Sequence, residues 1–154
     1  MTSLLAPQTI PSTQQPANVH AIAWSNHAQA PILAVAIAPN QTKPANHIAL
    51  LDANAMPFEE LTIARRDATA NSANVTHLAW SPAGTRTEKL LAVGYDDGTL
   101  LVWSLDDRRA REDAEAHAPH ALTLLRWSPG GEWLITADAR AEASGELPEL
   151  TLWR

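Results

Sequence analysis

Cysteine is absent from this 154-residue chain. That excludes disulfides, thiolate metal centres and cysteine nucleophiles, and it fits a reducing compartment. Long apolar runs are missing too. The longest uncharged one, residues 30–39, has about half the length of a helical membrane span, so no direct membrane insertion is expected. Charge is scarce: 18% of residues are charged, with 17 acidic side chains against 11 basic ones and a net charge of −6. The longest basic runs are Arg65–Arg66 and Arg108–Arg109. A surface that tracks phosphates needs clustered Lys and Arg, so no nucleic-acid partner is expected. The N-terminal stretch MTSLLAPQTIPSTQQPAN has neither a basic start nor a long apolar centre and does not read as a signal peptide. No phosphate-binding GxxxxGK, GxGxxG or GxSxG nucleophile elbow occurs.

Tryptophan, by contrast, is plentiful, and its surroundings repeat. Three segments run apolar into Trp-Ser: VHAIAWS at 19–25, VTHLAWSP at 75–82 and LTLLRWSP at 122–129. Each is followed by a second apolar run, ILAVAI at 32–37, LLAVGY at 90–95 and WLITA at 133–137. A third run closes each unit: HIALL at 47–51, TLLVW at 99–103 and LTLW at 150–153. The runs are short, bounded by Gly, Pro, Asn and Asp, and rich in Leu, Val, Ile and Trp, which is the strand signature. Asp96-Asp97-Gly98-Thr99 is the sharpest turn signal, because Gly supplies positive φ and Asp bonds its own backbone.

The Trp-to-Trp spacings of 56 residues (Trp24 to Trp80) and 47 (Trp80 to Trp127) exceed the roughly 40–45 of a compact four-stranded blade. The excess falls in loops at 40–46, 83–89 and 139–148. The charged stretch LDDRRAREDAEAHA at 105–118 reads as a solvated loop between repeats, with a short partner-facing helix as the lesser reading. Residues 1–17 carry three Pro and no period, and read as a flexible N-terminal arm or an edge strand.

These residues carry a family resemblance. LAVGYDDGTLLVW at 91–103 resembles the second half of a WD40 repeat, and Trp-Ser-Pro before a Gly-containing turn resembles its first half. The resemblance implies an all-β fold of WD40-type β-propeller blades. The expected domain is a partial propeller over 18–154, an incomplete ring of about three degenerate repeats near 18–66, 74–108 and 117–154. It also implies a buried tetrad of His, Ser or Thr, turn Asp and Trp. The second repeat offers Asp97 and Trp103, but has Val93 at the hydroxyl position and Asn71 at the His position. The third offers Thr136 and Trp153, with His117 displaced by about one residue, and the first has no Trp in its third strand. The structural positions expected to define the repeats are therefore Trp24, Trp80, Asp97, Trp103, Trp127, Thr136 and Trp153.

The order of the fragments is similar to the opening propeller of a large subunit family in complex A of intraflagellar transport. IAW at 22–24 then LAVA at 33–36, LAW at 78–80 then LAVG at 91–94, and LLRWSPG at 124–130 then LTLWR at 150–154 carry it. That resemblance implies a non-catalytic scaffold that binds other protein subunits of a large complex and supports retrograde ciliary transport and cilium assembly. The implied locations are the cilium, its basal body and the cytoplasm. Scaffolds of other large assemblies, such as a ubiquitin-ligase subunit of the anaphase-promoting complex, share several fragments. A propeller-type metal-dependent hydrolase is the remote alternative. No catalytic residue, cofactor or metal site is expected. His20, His47, His77, His117 and His120 read as blade-edge or loop groups, and Ser25, Ser81 and Ser128 as architectural because they recur with the Trp. Three repeats do not close a propeller, which typically has 4–8 blades, so the chain reads as a truncated product, a fragment or an incomplete gene.

Overall fold

The computed structural model describes residues 18–26, 31–38, 46–54, 60–64, 73–84, 89–106, 109–138 and 149–154. The N-terminal segment, the insertions at 40–45, 85–88 and 139–148, and Asn71 lie outside the described residues. Among the described residues, eleven strands form three antiparallel sheets, ordered β1-β2-β3-β4, β5-β6-β7-β8 and β11-β10-β9. The Trp-Ser runs are β1 (Val19–Trp24), β5 (Val75–Trp80) and β9 (Leu122–Trp127). The second runs are β2 (Ile32–Ile37), β6 (Leu90–Tyr95) and β10 (Leu134–Asp138), and the third are β3 (His47–Asp52), β7 (Thr99–Asp106) and β11 (Leu150–Trp153). Each sheet is one blade, and the fold is all-β with blades of the propeller type.

Register shows that the three units are one design. Trp24 lies opposite Leu33, which lies opposite Leu51. Trp80, Leu91 and Trp103 repeat that row, and so do Trp127, Leu134 and Trp153. Each first strand also carries one extra residue near its start: His20, Thr76 and Thr123 are skipped by their partner strands. Such a bulge sharpens twist and frees ladder groups. Thr76 Oγ1 donates to the Gly94 carbonyl at 3.2 Å, and Thr123 Oγ1 to that of Ala137 at 3.3 Å.

Most of the charged stretch at 105–118 is strand rather than loop. It forms β8 (Arg109–His117), paired along β7 with a bulge at Asp113. Ala114 and Ala116 alternate with Glu115, so one face is small and apolar and the other charged. An outermost strand is where charge is tolerated and guards against edge-to-edge association. The first blade has the same outer strand, β4 (Glu60–Ala64), paired to β3.

The core lies between blades. One apolar cluster joins Ala34, Ala36, Ile48, Leu50 and Ile63 of the first blade to Val75, Leu78, Trp80, Val93 and Trp103 of the second. Another joins Ala79, Ala92 and Leu100 of the second to Leu122, Leu125 and Leu134 of the third. In both, the face turned to the next blade is built on alanine, which lets the incoming Trp strand approach closely. Sheet-on-sheet burial of this kind is the main stabilising term available to such a fold.

Candidate functional site

Every blade is closed by its serine. The Ile32 N–H donates to Ser25 Oγ at 2.8 Å, Leu90 N–H to Ser81 Oγ at 3.0 Å, and Trp133 N–H to Ser128 Oγ at 3.1 Å. The serine N–H groups donate back to the carbonyls of the same three residues at 2.8, 2.9 and 2.8 Å. The hydroxyls are thus acceptors held by hairpin backbone.

The tryptophans of the first strands link the blades. Trp80 donates its indole N–H to the Ala23 carbonyl at 3.1 Å, and Trp127 donates to that of Ala79 at 3.0 Å. The donor in each case is the Trp of one blade, and the acceptor is the residue before the Trp of the blade preceding it. Trp24, at the same position of the first blade, is 57% exposed.

The tetrad is spread out rather than assembled. Trp153 donates to Thr136 Oγ1 at 3.0 Å. Trp103, buried at the matching place, has no acceptor for its N–H among the described residues. Asp97 caps its own turn through the Thr99 N–H at 2.9 Å. Its neighbour Asp96 reaches the strand entering the blade, accepting from Asn74 N–H and Nδ2 at 2.8 Å each. His117 Nδ1 lies 3.2 Å from Thr99 Oγ1, so it belongs to the second blade and not to the third. No local pattern marks Asp96 rather than Asp97 as the residue that reaches out of the turn, because both are turn-forming aspartates directly ahead of Gly98.

No group of three or more His, Asp or Glu side chains is placed to hold a metal ion among the described residues. His77 is packed at the junction of the first strands, where burial and then the Arg126 guanidinium hold its imidazole below the ordinary value of 6.5, against the opposing effect of a hydrogen bond that the ring donates to the Thr123 backbone. No described helix is long and apolar enough to cross a membrane, a statement that does not bear on β-barrels.

A groove of about 420 Å³ lies between the second and third blades. Leu100, Val102, Ala114 and Ala116 form one wall and Trp127, Leu134 and Trp153 the other, with Asp113, Glu115 and Glu132 along it. Its origin is local. Ala116 pairs with Leu100 where Ile63 pairs with Ile48 in the first blade, and Ile63 is buried in the preceding junction. A small residue in place of a large one leaves the gap. An apolar floor with carboxylates at hand suits a protein side chain or peptide, and offers no nucleophile paired with a base.

Solved structures share this architecture. A chain of the mitotic checkpoint complex aligns at a TM-score of 0.65 and 15% identity, over 94% of this chain and 37% of that one. The hydrazine synthase of Kuenenia stuttgartiensis aligns at 0.65 and 11%, over 89% and 45%. The chain therefore spans less than half the length of either, and at such identities the likeness concerns the fold alone. The family described as IFT140 first beta-propeller matches residues 8–153. With its blades, their register and this match together, the chain belongs to the IFT140 first β-propeller family.

Proposed function

We propose that this chain is a non-catalytic scaffold, part of a propeller that docks other subunits of intraflagellar transport complex A and so supports retrograde ciliary transport and cilium assembly. The observation that carries the reading is the family match across residues 8–153. The chemistry agrees with it: the repeated Ser and Trp side chains are engaged in closing and joining blades, and the groove between the second and third blades is apolar with acidic margins. The cilium, its basal body and the cytoplasm are the corresponding locations. The test is to tag the protein at its genomic locus in a ciliated cell. Ciliary signal with co-purification of complex A subunits is expected. A nuclear protein that co-purifies with a ubiquitin-ligase assembly would overturn the ciliary reading in favour of another scaffold.

A further inference from the structure

The groove between the second and third blades lacks a filler that the first junction has. Ile63 of β4 is buried against the second blade, and Ala116 of β8 holds the same register position toward the third. The indoles opposite record the difference. Trp80 and Trp103 are buried, whereas Trp127 and Trp153 stay partly exposed. The deficit belongs to β8 and not to the outer edge of the third blade. In the first junction the incoming blade carries its outer strand, yet no described residue of that strand enters the cluster that buries Ile63. The groove therefore lies inside the array, between two blades that pack on each other, whatever precedes β1 or follows β11.

The lining selects its occupant. Trp127 and Trp153 donate their indole N–H groups to the Ala79 carbonyl and to Thr136 Oγ1, so the rings offer the groove π faces and apolar edges rather than donors. Such surfaces take aliphatic groups and cations. Asp113, Glu115 and Glu132 stand along it, while the guanidinium of Arg154 lies over the Trp133 ring at 5.3 Å. Asp113 meets Arg111 at 2.7 Å, but that basic side chain is 76% exposed, and surface ion pairs of this kind are weak enough to exchange partners. A phosphate or carboxylate ligand would face like charge here. A volume of about 420 Å³ is at the low end of the roughly 300–1,000 Å³ of ligand sites, which is room for a side chain or two and not for a folded domain. We propose that a short basic segment of another protein docks in this groove, seating one leucine-sized side chain between Ala116 and the two indoles, with lysine or arginine on either side meeting Asp113, Glu115 and Glu132. Burial of the apolar side chain supplies the affinity, and the carboxylates supply selectivity and salt dependence. The inference rests on the reading of the chain as a protein-binding scaffold and names the partner of one surface, without need of the ciliary assignment.

The test probes the intact protein against an array of short immobilised peptides. Their central residue is leucine, isoleucine, phenylalanine or serine, and their flanks are lysine and arginine, alanine, or glutamate. Leucine or isoleucine between basic flanks is expected to bind, and binding should weaken as salt is raised. Serine at the centre should lower affinity about tenfold or more, as for the loss of one buried aliphatic side chain. Ala116→Ile, which installs the residue of the first junction, should lower it by a similar factor without loss of thermal stability. Glu132→Lys, at an exposed position, should weaken the peptides with basic flanks alone. Silence across the whole array overturns the proposal, as does binding that ignores Ala116→Ile or that prefers glutamate flanks. A silent array together with lower stability of Ala116→Ile would mean that the protein's own chain fills the groove. A change of sedimentation in that variant would make a second copy the occupant, and either result sinks the inference. Should Ala116→Ile fail to fold, Glu132→Lys decides alone: an unchanged order of preference among the flanks refutes the site. Complex A subunits that still co-purify while the array stays silent would remove this inference and leave the scaffold reading standing.

Discussion

The Trp153 indole N–H donates to Thr136 Oγ1 at 3.0 Å, tying the third strand of its blade to the second. The same diagonal in the preceding blade joins Trp103 to Val93, and there the buried indole N–H has no acceptor among the described residues. An unsatisfied buried donor costs about 1–3 kcal/mol. Val93→Thr places a hydroxyl where Thr136 has one, and is expected to raise stability by about 1 kcal/mol. Thr136→Val should lower it by about 1–2 kcal/mol. Urea midpoints measured at unchanged m-value decide both, and a destabilised Val93→Thr would mean that the second blade does not present its hydroxyl to the indole.

Trp103 is 6% exposed and sits in the junction of the first two blades. Trp103→Ala is expected to cost roughly 3–5 kcal/mol, as for other truncations of large buried aromatics. Thermal and chemical denaturation would register it. An unchanged melting temperature would show that the inter-blade cluster contributes little.

Gly98 adopts φ +83°, and a Cβ there would lie 2.3 Å from the Ala118 carbonyl oxygen and 2.7 Å from that of His120. Both obstacles are backbone, and the Ala118 N–H also donates to the Gly98 carbonyl at 2.9 Å. Gly98→Ala therefore forces the segment linking the second blade to the third to move. A loss of more than about 2 kcal/mol is expected, from left-handed strain together with the clash. Protease nicking near 118–121 should rise in parallel, and a variant as stable as the parent would refute the placement of this turn.

His77 gives a pH dependence with a definite sign. Its imidazole titrates below 6.5 in the folded chain, through burial first and the Arg126 charge second. As pH falls through 6.5 the unfolded chain takes up the proton and the folded chain does not. This contribution to stability is present above that value and is lost progressively below it, until the folded group also titrates. Denaturation midpoints between pH 8 and 5 should fall, and His77→Gln should flatten part of that slope. An identical slope in the variant would assign the effect to other groups.

The blades were legible in the sequence because each Trp-Ser strand states its own period, its own serine closure and its own turn. Trp24, Trp80 and Trp127 recur with the same neighbours, and a two-residue alternation needs no distant contact to be read. The outer strand β8 was not legible. RAREDAEAH has neither β-branched nor aromatic residues, and its strand character comes from β7 alongside it, which supplies the hydrogen-bonding partner. The groove beside it was equally hidden, since it depends on Ala116 facing the third blade where Ile63 fills the matching space.

What the sequence by itself determined is the repeating unit: which residues alternate, where each hairpin turns, and which side chain closes it. These are local matters of period and backbone geometry, set within one blade. Only the tertiary structure decided which tryptophans are joined and which are left open. Trp24, Trp80 and Trp127 have nearly the same local sequence, yet Trp80 and Trp127 find the Ala23 and Ala79 carbonyls while Trp24 is 57% exposed. The difference lies in whether a preceding blade stands against the strand, because burial and hydrogen bonding across blades depend on neighbours that no single repeat contains.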